Sequence, residues 1–186
     1  TLLTGAYAIL LSRYGRQDDV LFGTVFSGRN FDCEGLENTI GLFINTLPLR
    51  IGCPGNDPVG PWLRAIQQNV FHLSHYEHSS LAEIKSWSHA GARQELFESI
   101  LVFNDEPLDT YLNKQGFAFH VREMKILYES TNYPLTLAIM KDKAVHLRAL
   151  FNKRLFEEKD IENLLAHYQT ILTHILSHAS SAPLRD

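Results

Sequence analysis

Cysteine, methionine and tryptophan are all scarce, two of each in 186 residues. Cys33 and Cys53 form no Cys-x-x-Cys pair, so neither a zinc ribbon nor a thioredoxin-type redox motif is available. The plain reading is two buried thiols in a cytoplasmic protein; a disulfide between them has no support of its own. Long apolar runs are also missing. Ala6 to Leu11 falls far short of the roughly 20 residues that span a bilayer. It lacks the basic flank and cleavage site of a signal peptide. Nor is there an excess of positive charge. Lys and Arg number 17 against 21 Asp and Glu, for a net charge of −4, and no basic block stands out. That argues against nucleic acid and membrane as main partners. No internal repeat and no low-complexity segment is present. The first residue is Thr1, without a methionine, as expected of a piece of something larger.

What is present suits one domain, able to bury roughly 70% of its unfolded surface. Thr1 to Tyr14 is rich in Ala and Leu and predicts a helix buried on most sides, stopped by Gly15. Gln17-Asp18-Asp19 is a turn. Val20 to Phe26 is a continuous β-prone run and predicts a buried strand. Phe31 to Thr39 is a polar connection. Ile40-Gly41-Leu42-Phe43-Ile44-Asn45-Thr46-Leu47-Pro48-Leu49-Arg50 then reads as the next strand. Its Asn45-Thr46 pair must find partners or face a cavity, because burying a polar group unpaired costs about 1–3 kcal/mol.

A second helix is expected from Pro61 to Tyr76, with Trp62, Leu63, Ile66, Val70 and Leu73 on one face. Ser80-Leu81-Ala82-Glu83 has the spacing of a capping box and starts a short helix ending near Trp87. Ser88 to Arg93 is a loop. Ser99 to Asn104 is a strand, followed by a turn at Asp105-Glu106-Pro107. Phe117, Phe119 and Val121 alternate like a half-buried strand. Pro134 to Met140 and Ala144 to Asn152 form a hairpin around Lys141-Asp142-Lys143. Apolar residues at helical spacing from Asp160 to His178 predict the last helix, and Ser180-Ser181-Ala182-Pro183 a domain exit. The sum is an α/β domain with a mainly β centre and packed helices.

Few constellations suit catalysis. Gly23-Thr24-Val25-Phe26-Ser27-Gly28-Arg29-Asn30 has nearly the spacing of a P-loop. Arg29 and Asn30 stand where Lys and Ser or Thr are required, and Val25 and Phe26 read as strand, which counts against nucleotide binding. His72, His75 and His78 sit three apart but cannot all reach one metal from one helix. His174 and His178 have the i, i+4 spacing of a zinc helix, yet Ile175 replaces the required Glu. Solvated helix faces explain both sets. No Gly-x-Ser-x-Gly elbow is present. Chemistry alone yields no active site, and no metal is called for.

Two stretches carry a resemblance. Asp19 to Arg29 followed by Ile40 to Arg50, at this separation, resembles the condensation domains of nonribosomal peptide synthetases. The helix Ala6 to Tyr14 looks like the family helix ahead of them. Tyr76-Glu77-His78-Ser79-Ser80-Leu81-Ala82-Glu83-Ile84 looks like a later motif, although the family more usually shows Gln-Asp and Pro-Phe-Glu there. Leu101-Val102-Phe103-Asn104 and Thr131 to Leu137 also match, so the resemblance covers nearly the whole chain. The family's His-His-x-x-x-Asp-Gly signature is missing. That implies the C-terminal lobe alone, with the N-terminal lobe and its motif outside this chain.

The implied fold is α/β: a chloramphenicol acetyltransferase-like lobe, a mixed β-sheet flanked by helices. The implied activity of the whole domain is amide formation between two thioesters tethered to carrier proteins. This lobe would supply a tunnel wall and a carrier-docking surface but not the base. No cofactor is bound directly; the substrates ride on phosphopantetheine. Implied partners are the N-terminal lobe, donor and acceptor peptidyl carrier proteins and an adjacent adenylation domain. Arg29 and Asn45 are the candidates for bracing the lobe boundary or lining the tunnel, with Ser27, Ser130 and Asn132 added for their places at strand ends. For Arg29 the plainer role is a salt bridge holding its loop, and for Asn45 backbone bonding that fixes a crossing segment. An epimerisation, cyclisation or other acyltransferase relative, and a non-catalytic docking module, remain the alternatives.

Overall fold

A computed structural model describes residues 1–29, 35–53, 55, 58–88, 95–104, 130–141 and 144–178. The expectations placed on Cys33, on the turn at Asp105, on the Phe117–Val121 strand and on the exit at Ser180 lie outside them. The first helix, α1 (Leu2–Gly15), has Thr4 to Leu10 buried on all sides. Gly15 is its last helical residue. The left-handed cap falls on Arg16, at φ 50°, whose N–H bonds back to Ser12. A non-glycine residue there costs about 1–2 kcal/mol, so the stop falls one residue past the glycine against the local preference.

Strands β1 (Asp19–Phe26) and β2 (Asn45–Gly52) pair antiparallel, Asp19 opposite Gly52 and Phe26 opposite Asn45. The expected strand over Ile40–Arg50 is thus corrected. Residues 40–44 form no strand, and Ile40, Leu42 and Ile44 stand in solvent, Leu42 at 89% exposure. An apolar run gave the strand its length, but β1 offers no residue beyond Phe26 to pair with it.

Helix α2 (Val59–Ser74) carries the expected apolar face, with Trp62 and Ile66 buried. Helix α3 (Leu81–Trp87) begins at a true capping box: the Ser80 hydroxyl accepts from the Glu83 N–H and the Glu83 carboxylate accepts from the Ser80 N–H. Bonds from the Ser80 hydroxyl and N–H hold the Glu83 carboxyl below its usual range. Strands β3 (Ser99–Asn104), β4 (Leu135–Lys141) and β5 (Val145–Phe151) complete a five-stranded sheet of order β2-β1-β3-β4-β5. The pairs β1–β3 and β3–β4 are parallel and β4–β5 antiparallel, so the sheet is mixed.

The last helix, α4 (Glu158–His178), packs on α1. Its Tyr168 hydroxyl donates to the Leu3 carbonyl at 3.0 Å. Helices α1, α2 and α4 share one apolar core with the alternate residues Val20, Phe22, Leu49, Ile51, Leu101, Leu135, Leu137 and Ile139, so all three cover the same sheet face. On the opposite face Gly23 leaves room that a side chain would not have. A Cβ there would lie 2.4 Å from the Phe97 ring, which stacks on Tyr133 at 5.4 Å. Among the described residues no helix is long and apolar enough to cross a membrane.

Candidate functional site

The polar groups singled out in the sequence fall at two ends of the sheet. Ser27, Arg29 and Asn45 gather where β1 ends and β2 begins. Ser130 and Asn132 precede β4, at the opposite end, because β1, β3 and β4 run parallel. The five therefore share no common pocket.

The first group is a polar clasp, built from the backbone outward. Gly28 follows β1 in the left-handed region, at φ 67°, and a Cβ on it would lie 1.8 Å from the Phe43 carbonyl oxygen. Only glycine fits that apposition. Its N–H donates to Glu77 Oε2 at 2.9 Å. Asn45 Nδ2 donates to the carbonyls of Glu77, at 2.9 Å, and Ser79, at 2.7 Å. Its Oδ1 accepts from the Thr46 N–H at 2.9 Å. The carboxamide thereby ties the start of β2 to the turn between α2 and α3.

Arg29 reaches across the connection. Nη1 donates to the Leu36 carbonyl at 2.6 Å, Nη2 to the Thr39 carbonyl at 3.0 Å, and the guanidinium carbon lies 4.5 Å from the centre of the Phe43 ring. Arg29 holds its loop through carbonyls and a ring, and among the described residues no salt bridge joins it. Ser27 is exposed, and its hydroxyl accepts from the Arg29 N–H at 3.3 Å.

Glu77 is the residue that sequence reasoning passed over. It lies within the Tyr76–Ile84 stretch, just past a helix end, where an acid is ordinarily solvated. The residue is only 5% exposed. Its two exposed neighbours, Tyr76 and His78, hide that burial from any local pattern.

At the other end Ser130 to Pro134 and Ala149 to Lys153 line a cavity of about 570 Å³. Thr131 Oγ1 meets Thr136 Oγ1 at 2.7 Å and fixes the bend into β4. Burial pushes the Tyr133 phenol up, and Glu95 adds to the shift.

The near P-loop makes no phosphate cradle: Gly23 to Phe26 are ladder residues of β1, opposite Pro48 to Asn45. Among the described residues no three His, Cys, Asp or Glu side chains converge as metal ligands would. In the clasp the polar side chains bond to backbone groups, so the arrangement braces; it does not assemble a nucleophile with a base.

Fold and clasp together define a class, an α/β unit of mixed sheet whose polar residues brace the end of the β1–β2 pair and leave an apolar strip beyond it. The family model described as Condensation domain matches residues 1–185, and the chain belongs to that family. A linear gramicidin synthase from Brevibacillus parabrevis is 39% identical over 181 residues, covering 96% of this chain and 4% of its own length. The condensation domain from a monacolin K polyketide synthase superposes with a TM-score of 0.79 at 18% identity, over 98% of this chain and 42% of that one. A four-domain nonribosomal peptide synthetase bound to AMP and glycine does so with a TM-score of 0.81 at 14% identity, over 99% of this chain and 15% of that one. At such identities the two structures establish the α/β fold alone. The chain spans a small fraction of the gramicidin synthase it matches.

Proposed function

We propose that this chain is the C-terminal lobe of a nonribosomal peptide synthetase condensation domain. In the complete domain the amine of an acceptor aminoacyl group attacks the donor thioester carbonyl. A C–N bond forms, the C–S bond breaks, and the proton lost from nitrogen ends on the released thiol. Both reactants are tethered through phosphopantetheine to carrier proteins, so the tethers are part of the substrates. The protein's task is to bring two tethered groups together and keep water out, and orientation alone can supply about 7–11 kcal/mol of such a barrier.

The observation that carries the reading is the family match over residues 1–185. Two features support the assignment to one lobe. The sequence contains no His-His-x-x-x-Asp-Gly, and it covers 42% of the solved condensation domain from the polyketide synthase. The N-terminal lobe is then the occupant of the strip at Ile40, Leu42 and Ile44, which is too exposed and too apolar for a free surface. Arg29 and Asn45 brace that boundary with Ser27 beside them, while Ser130 and Asn132 line the cavity at the far end of the tunnel wall. Donor and acceptor carrier proteins and an adenylation domain are the neighbours, in the cytoplasm.

The test is to load the donor and acceptor carriers of the source synthetase and follow the acceptor by intact mass. The expected result is a gain equal to the donor acyl group. Two fully loaded carriers that exchange nothing would refute the assignment.

A further inference from the structure

We propose that Glu77 is a positioning residue: its buried carboxylate and its own carbonyl clasp the ends of β1 and β2 together and so fix the 35–44 connection with its apolar strip. The carboxylate accepts from the Gly28 N–H, and the carbonyl accepts from Asn45 Nδ2. One residue thus holds both strands where their ladder ends at Phe26 and Asn45. Residues 40–44 lie beyond that point and form no strand, so the β1–β2 ladder does not restrain them.

What holds them is indirect. Gly28 sits so close to the Phe43 carbonyl that no Cβ fits between them. Arg29, the next residue, chelates the Leu36 and Thr39 carbonyls and covers the Phe43 ring. Thr39 Oγ1 closes the same turn on the Gly35 carbonyl at 2.8 Å. Releasing Gly28 from Glu77 frees the residue whose placement sets Arg29 and Phe43 together. A solvated carboxylate would exchange Gly28 for water at little cost, whereas Glu77, at 5% exposure in a part-buried bond, meets little water to take the place of its partner. Glu77 acts through Gly28 and Arg29 and touches no reacting atom.

The consequence for condensation rests on the reading of this chain as a condensation lobe; the clasp itself does not. The experiment uses the full source synthetase with loaded carriers, and the Glu77→Ala and Glu77→Gln variants. Two quantities are read: the single-turnover condensation rate, and amide hydrogen exchange at Gly28 and over residues 35–44. Alanine is expected to lower the rate roughly 10–100-fold, the effect of about an ångström of misplacement, and to speed exchange at Gly28. Glutamine keeps a carbonyl acceptor and is expected to restore most of both. Should alanine leave no folded protein, Glu77→Asp, one carbon shorter, takes its place with the same two readouts. Exchange unaltered in the alanine variant, or exchange accelerated at a wild-type rate, would overturn the proposal. A wild-type synthetase that makes no product defeats the condensation reading instead, and the exchange measurement still decides the clasp.

Discussion

The β1–β2 ribbon is tied at both ends, and the two ties rest on different physics. At the Asp19 end an Arg50–Asp19 fork lies in solvent, with Nε 2.8 Å from one carboxylate oxygen. The same end is closed by the buried Trp62, whose indole N–H donates to the Gly52 carbonyl at 2.6 Å, and by the Cys53 N–H on the Asp18 carbonyl. At the Phe26 end the tie is polar. Glu77, Asn45 and Arg29 hold backbone groups directly. An ion pair in water contributes little, so packing carries the first tie. In the second the bonds of Glu77 and Asn45 are part-buried, so losing one leaves a partner with little water to replace it, while those of Arg29 lie in solvent. The apolar end tolerates loss of its exposed ion pair, and the polar end tolerates loss of Glu77 or Asn45 least.

The sharpest way to break this contrast is Gly28→Ala. It adds a strained left-handed residue to an overlap with the Phe43 carbonyl. The expected loss is about 3 kcal/mol or more in urea unfolding. Asn45→Ala comes next, stranding the Glu77 and Ser79 carbonyls, with an expected loss of about 2 kcal/mol. The same change in the full-length enzyme should slow condensation. Normal folding with normal condensation would remove Asn45 from the lobe boundary.

The apolar end can be sharpened by pH. Burial, with Asp18 close by, pushes the Cys53 thiol up to about 12 from 9.0. A raised thiol favours the protonated fold, so its contribution is whole below about pH 9 and is lost as pH climbs towards 12. Melting temperature should fall through that window, and Cys53→Ala should flatten the fall. Tyr7 adds to the residual slope. Its phenol is pushed up to about 12 by burial, with Ser99 beside it pulling the other way, although among the described residues the hydroxyl meets no partner in hydrogen-bonding geometry. The smallest effect belongs to Arg50→Ala. It should barely move the melting temperature, and ~1 M salt should erase what shift there is.

The same division explains what could be read from the sequence. Periodicity exposed the packed elements: α4 repeats at helical spacing and β5 at strand spacing, so both were legible. The capping box at Ser80 was legible because both its bonds lie within three residues. The clasp was not. Gly28 to Glu77 and Asn45 to Ser79 join residues far apart in the chain, and no local pattern announces such a bond. Residues 40–44 misled for the converse reason. Their apolar run reads as a buried strand, while they lie beyond the end of the β1–β2 ladder with Ile40, Leu42 and Ile44 in solvent. Asn45 was found as a polar interruption in that run; Glu77 interrupts nothing.

The most direct measurement is hydroxyl-radical footprinting of the native source protein, read at Ile40, Leu42 and Ile44. Trp87 and Leu176, 68% and 61% exposed, serve as solvent-facing references after correction for intrinsic reactivity. If this chain is one lobe of a condensation domain, Leu42 and Ile44 will be protected well below both references, because the other lobe covers them. Leu42 and Ile44 as reactive as Trp87 and Leu176 in the folded native protein would contradict that.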